Sequence, residues 1–243
     1  SVNGGDASGA TRIGLPVGDH LTGYVALSAI LMALYQRERS GAGQRVEATL
    51  YDTALSLLLP HAANWLASGS TPGLLGSAHP NIAPYDKFRA RDGEVFIGIL
   101  NQAQFRRLCA HIGRPGLADD ERFASNAQRL AHRDELKCEI EAAIAGQPSG
   151  ELCESLMRAG VPAGAVNSVP QAFGHPHCEH RRMLLRDGAY TGVRSPMRLF
   201  GGAQPPVAAP AAFSRHTDEV LQALGYSGAE RERLRATGAT PAR

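Results

Sequence analysis

The stretch from Tyr24 to Tyr35, YVALSAILMALY, is apolar at almost every position, and a helical pattern extends around it from about Asp19 to Arg39. Leu21, Tyr24, Val25, Leu27, Ile30, Leu31, Met32 and Leu34 fall on nearly every side of such a helix, which leaves no broad polar face for water. A helix of this kind belongs inside a larger body, and no other stretch restricts the fold as strongly. The apolar run is too short to span a bilayer and contains Ser28, so no membrane partner is expected. Arg37 and Arg39 suit the negative end of the helix dipole, and Gly41 supplies a stop.

The segments that follow mix both periodicities. QRVEATL alternates as a short strand or extended link, and a second helix is predicted from Asp52 to about Ala67. Residues 69–84, GSTPGLLGSAHPNIAP, form a loop and a candidate boundary. YDKFRARDGEVFIGIL predicts a hairpin around Asp92-Gly93. Helices follow over NQAQFRRLCAHIG, over about Ala127 to Ala145, and from Ser149 to Gly160, before VPAGAV returns as a strand. GGAQPPVAAPAAF, residues 201–213, is a Pro/Ala linker, and two short closing helices end the chain, the second opened by a capping box of Ser227 and Glu230. The expected class is α/β, with divisions at 1–75, 76–172 and 173–243.

Composition narrows the function. A length of 243 residues suits one or two domains, and a net charge of +2 gives no general attraction to nucleic acid or membranes. Almost all basic residues are Arg, whose planar fork suits carboxylates and phosphates, although biased codon usage produces the same balance. Cys109, Cys138, Cys153 and Cys178 contain no C-x-x-C pair and fit a reduced, cytoplasmic compartment. GHPHCEH gathers His175, His177, Cys178 and His180, but the spacing matches no common zinc pattern; a solvated turn is expected there, and no metal. Dinucleotide, P-loop, G-x-S-x-G and H-E-x-x-H signatures do not occur.

One acid stands out. Asp19 lies at the mouth of the apolar helix, with Gly18 before it and Gly23 four residues on. A helix cap explains an Asp there. So does chemistry: flanking glycines leave room for a bulky substrate, and a carboxylate at a helix N-terminus stays ionised as a nucleophile beside backbone N–H donors. The second candidate is the loop LLGSAHPNIAPY, with Gly76, Ser77 and His79. It reads either as a linker with a surface His or as a flap that shields an intermediate from water.

Six stretches in order resemble the family III CoA-transferases, the CaiB/BaiF group that includes formyl-CoA transferase and carnitine CoA-transferase. They are GLPVGDHLTGYVALSAILMAL, RERSGAGQRVEATLYDTAL, GSAHPNIAPYDKFRARDGEVFIGILNQAQFRRLC, DERFASNAQRLAHRDEL, AGVPAGAVNSVPQAF and RHTDEVLQALGYSGAERERL. The resemblance implies that Asp19 is the nucleophile of a D-x-x-x-G pattern completed by Gly23. It would pass acyl groups through an aspartyl anhydride and an aspartyl-CoA thioester. Coenzyme A is then a substrate, and an acyl-CoA donor and a carboxylic acid acceptor are the small-molecule partners. The loop at Gly76 to Pro80 falls where the family keeps a glycine flap; here it reads GSAH, and His79 is a candidate substrate contact. The resemblance further implies a C-terminal portion: part of a Rossmann-like large lobe, a smaller α+β domain and a returning tail, lacking the family's N-terminal segment. The expected assembly is a homodimer, or a partner chain that supplies that lobe. An α-methylacyl-CoA racemase and a non-catalytic lobe of a split enzyme are the alternatives.

Overall fold

The computed structural model describes residues 2–5, 7–201 and 208–241, in two compact units divided between residues 166 and 167. The first unit opens with a two-stranded ribbon, β1 (Gly4–Gly5) and β2 (Gly9–Ala10), followed by helices α1 (Val17–Ser40), α2 (Leu50–Ser56) and α3 (His61–Ser68). Next come β3 (Tyr85–Arg89), β4 (Glu94–Gly98), α4 (Gln102–His111), a 3₁₀ turn at Pro115–Ala118, α5 (Asn126–Ala131), α6 (Arg133–Ile144), α7 (Ser149–Arg158) and β5 (Ala163–Ala165).

The predicted hairpin forms with Arg89 opposite Glu94 and Asp92-Gly93 in the turn, and β5 pairs antiparallel with the far side of β4. Alternation puts Phe88, Val95 and Ile97 into the interior, where they meet Phe105, Leu108 and Cys109 of α4, Leu136, Ile140 and Ile144 of α6, and Leu152 and Leu156 of α7. The i, i+4, i+8 spacing of the α6 residues makes that stripe continuous. Every buried hydrophobic residue of the described chain lies between Ala83 and Val161.

Helix ends follow their local chemistry. Asn101 accepts the Gln104 amide to start α4, and Gly113, at φ 73°, closes its C-terminal turn. The helix expected over 52–67 is broken: Pro60 has no N–H to continue a helix, so α2 ends at Ser56 and α3 starts at His61. The helix expected over 127–145 also divides, at His132, into α5 and α6. QRVEATL is an extended link and forms no strand.

The first helix is uncovered within the described residues of this chain. It spans 24 residues and ends at Gly41 in the left-handed conformation as foreseen, yet none of its residues is buried. Ile30, Leu31 and Met32 on α1, and Trp65 and Leu66 on α3, are exposed. Within the described residues α1 packs chiefly on α2, which is too short to enclose it. The complete helix is also long and apolar enough to cross a bilayer by length and composition, although the apolar run at its centre is short. A helix enclosed by other protein meets the same test.

The second unit contains α8 (Val169–Gly174), α9 (Pro176–His180), the hairpin β6 (Leu184–Asp187) and β7 (Tyr190–Val193), α10 (Thr217–Ala223) and α11 (Gly228–Ala236). The Ser227–Glu230 capping box forms at the start of α11. Residues 202–207 of the Pro/Ala linker lie outside the described residues. GHPHCEH is the short helix α9 with its entry rather than a turn, because Pro176 suits a first helical position and His175 Nδ1 accepts the His177 amide.

Core and surface give opposite expectations for substitution. Leu136→Ala, inside α6, should lower unfolding free energy by about 2–5 kcal/mol in urea denaturation. Leu31→Ala, on the open face of α1, should change it by less than about 0.5 kcal/mol in a monomer.

Candidate active site

Asp19 stands in the first turn of α1 as its third residue; the capping position belongs to Pro16, which offers no side-chain hydrogen bond. Asp19 is therefore not the N-cap. It is exposed, and its carboxylate makes no hydrogen bond or ion pair among the described residues. The first free acceptor of the helix goes to His20, whose amide donates to the Pro16 carbonyl at 3.1 Å. The amides of Gly18 and Asp19 have no described acceptor, as helix geometry requires of a first turn. A carboxylate and two unengaged N–H donors thus share one helix end, where the dipole favours negative charge.

The glycines widen this opening. Gly23 lies one turn after Asp19 on the same face. A β-carbon built at Gly18 or at Gly23 would meet nothing within 4 Å outside the helix backbone, so the space beside the carboxylate is open. The Thr22 hydroxyl is engaged with the helix backbone, donating to the Gly18 carbonyl at 2.7 Å.

Gly76, Ser77 and His79 come together in a single loop, which is fastened at many points. Gly76 takes φ 62°, and its amide donates to Gly4 in the ribbon at 2.8 Å. The Ser77 hydroxyl donates to Asp86, a buried carboxylate on β3. Asp86 also accepts the Lys87 amide at 2.7 Å and Lys137 Nζ at 2.7 Å. Arg133 donates to the His79 carbonyl at 2.9 Å, and the His79 amide donates to Tyr85 at 2.9 Å. Asn126 anchors the loop's far end through Asn81 and Ala83. Arg129, itself buried, donates to the Ala83 carbonyl at 2.6 Å while lying over the Phe105 ring.

His79 packs edge-on against Tyr85 at 5.1 Å between centroids, and its Nδ1 accepts the Asn81 amide at 3.1 Å. A neutral imidazole accepting at Nδ1 carries its proton on Nε2. That atom has no described partner and is available as a donor. Partial burial, followed by electrostatic repulsion from His61 and Arg133, holds the His79 pKa below the usual 6.5.

A cavity of about 550 Å³ opens beside the loop, lined by Gly76, Ala78, Asp86, Arg133, Asp134 and Lys137 among others. Asp19 is not in its wall, and no hydrogen bond, ion pair or ring contact joins Asp19 to Gly76, Ser77 or His79. Asp86, Lys137 and Arg133 were not legible as site residues, because a pairing across 51 positions leaves no local mark. Among the described residues no three metal-ligating side chains gather, and His177 and His180 sit 6.4 Å apart by ring centroid.

Comparison with known proteins adds a second line. The model of CoA-transferase family III matches residues 1–217. The acetyl-CoA:oxalate CoA-transferase of Acetobacter aceti is 35% identical over 80% of this chain and 50% of its own length. The succinate–glutarate CoA-transferase of Agrobacterium fabrum is 36% identical over 81% and 50%. Among solved structures, a CAIB/BAIF family protein from Brucella suis superposes with a TM-score of 0.74 at 33% identity, over 92% of this chain and 59% of that one. The chain spans about half the length of the curated relatives it matches.

The depressed His79 pKa has a measurable sign. The unfolded chain takes up this proton below about pH 6.5, before the native state does, so native stability from this group is complete above 6.5 and is lost as pH falls through the native value. NMR titration should place the His79 midpoint below 6.5, and His79→Gln should remove its share of the stability rise in that window.

Proposed function

The chain belongs to CoA-transferase family III, and from that premise we propose that it takes part in moving coenzyme A from an acyl-CoA thioester to a free carboxylic acid, with Asp19 as the nucleophile. The observation that carries this reading is the unpaired Asp19 carboxylate at the start of α1, beside two free amides and a gap kept by glycines.

Asp19 Oδ attacks the acyl carbon of the donor; a C–O bond forms and the C–S bond breaks. The acyl group is left as a mixed anhydride and coenzyme A as a thiolate. The thiolate then attacks the Asp19 carbonyl carbon, freeing the donor's acid and leaving an aspartyl thioester. An incoming carboxylate attacks the same carbon and expels the thiolate, giving a second anhydride. The thiolate takes up the new acyl group, and Asp19 is regenerated. Each addition puts negative charge on a carbonyl oxygen, and the amides of Gly18 and Asp19 are oriented donors for such charge. In the same reading the Nε2–H of His79 is offered to a substrate oxygen. Relatives named for oxalate and for glutarate make a dicarboxylate the preferred acceptor class.

The exposed apolar faces of α1 to α3 complete the proposal. So much uncovered hydrophobic surface marks an interface, which we assign to a homodimer or to a partner chain that supplies a further lobe. Four free thiols fit a reducing, cytoplasmic setting.

Asp19→Ala should abolish transfer from acetyl-CoA or succinyl-CoA to oxalate or glutarate, by about 10³-fold or more, with an unchanged circular dichroism spectrum. A carboxylate that only balances the helix dipole would instead cost about 0.3–1 kcal/mol of stability and keep the activity. Gly23→Leu separates access from folding: it should hold or raise stability by up to about 1 kcal/mol, since Gly is a poor helix former, while transfer is lost. Retained transfer in either variant contradicts the proposal.

A further inference from the structure

The loop that carries His79 and the strand β3 are joined twice through the same two residues. The His79 amide donates to the Tyr85 carbonyl at 2.9 Å. Their rings meet edge to face, 5.1 Å apart by centroid with 70° between planes. The backbone bond fixes where the His79 side chain leaves the chain, and the ring contact restricts how far it turns.

The sheet register shows what holds Tyr85 itself. Tyr85 lies directly opposite Gly98 of β4, and Phe96 stands on the same face two residues before that glycine. A β-carbon at Gly98 would come within 2.7 Å of Tyr85 Cε2 and 2.9 Å of its Cδ2. The phenol ring thus lies across bare glycine backbone, and any other residue there would displace it. Phe96 meets the same ring at 5.2 Å and 87°. Such perpendicular contacts set the positive edge of one ring against the negative face of the next, so they have a preferred direction. His79, Tyr85 and Phe96 are all half-buried.

Direction matters for an imidazole, because its two nitrogens differ. His79 Nδ1 accepts the Asn81 amide at 3.1 Å, which leaves the proton on Nε2. Asn81 is held in turn: its side chain exchanges two hydrogen bonds with Asn64 of α3, at 2.7 and 2.9 Å, and its carbonyl accepts from Asn126 of α5 at 2.9 Å. A half-turn of the imidazole about its Cβ–Cγ bond would break the Nδ1 bond and carry Nε2 elsewhere.

We propose that Tyr85 is a positioning residue, seated across Gly98 and against Phe96, which holds the His79 imidazole in the orientation that offers Nε2–H to substrate. This rests on the reading of His79 as a donor to a substrate oxygen.

Two measurements on the full chain test it: nitrogen NMR of the isotopically labelled His79 ring at a pH where it is neutral, and steady-state transfer from succinyl-CoA to glutarate. The native protein should show one protonated nitrogen, Nε2, and one unprotonated nitrogen, Nδ1. In Tyr85→Leu both signals should move toward the tautomer average of a freely turning imidazole, while kcat falls by about tenfold or more and KM changes by less than about twofold. Tyr85→Phe keeps the ring and should keep both readouts. Gly98→Ala fills the space under the ring and should behave as Tyr85→Leu does. Phe96→Leu should fall between, and it serves if neither of those variants folds. Arg89→Gln, exposed on the same face of β3, should change neither readout. A native His79 ring that is already averaged, or a native signature that persists in folded Tyr85→Leu, overturns the proposal. Unchanged transfer in His79→Ala overturns instead the donor role on which it rests.

Discussion

Burial of apolar side chains between one three-stranded sheet and the helices packed on it holds the first unit together. Phe88, Val95 and Ile97 on the sheet meet Phe105, Leu136, Ile140 and Leu156 from α4, α6 and α7, all essentially excluded from water. At roughly 1.5–3 kcal/mol for each large apolar side chain, this region supplies the main driving force for folding. It also positions the loop of Gly76 to Pro84, because the loop's anchors stand on the same elements: Asp86 on β3, Lys137 and Arg133 on α6, Asn126 and Arg129 on α5. Buried Cys109 belongs to the same interior, and burial pushes its thiol up to about 11, which leaves it an inert apolar group.

The helices that precede this core are built differently. α1 satisfies its own backbone hydrogen bonds and is closed by Gly41, but its apolar side chains gain no cover from the described residues. Its stability as a helix and its exposure as a surface are separate facts, and together they place Asp19 on a regular backbone yet open to solvent. The backbone of a 24-residue helix fixes the Asp19 Cα–Cβ bond relative to the first-turn amides. The glycines at 18 and 23 remove the side chains that would crowd it. A reactive acid needs both a rigid mount and an approach.

Much of this was legible in the sequence, and the failures share one physical cause. The hairpin around Asp92-Gly93, the Ser149 and Gly160 limits of α7, and the Ser227–Glu230 box depend on neighbours a few residues apart, and all of them appear. Pro60 interrupted a helix that apolar spacing alone would have continued, because periodicity counts side chains while a helix also needs its N–H groups. The described residues do not cover α1, because a sequence shows what a surface requires without showing what meets it. The same limit hid the Asp86–Lys137 pair, whose meaning lies in groups brought together across 51 positions. Asp19 was found from its place before an apolar helix and its two glycines, but its position as third residue of the first turn, and hence its freedom from capping duty, needed coordinates.

The central claim is that the Asp19 carboxylate becomes covalently acylated. Incubating the protein with isotopically labelled acyl-CoA, quenching with hydroxylamine and mapping peptides by mass spectrometry reads this directly, because hydroxylamine converts an aspartyl anhydride or thioester to a stable hydroxamate. The account predicts a hydroxamate on the peptide containing Asp19, formed only when acyl-CoA is present. A protein shown to catalyse transfer in the same sample, yet with Asp19 unmodified or the hydroxamate on another acid, would contradict it.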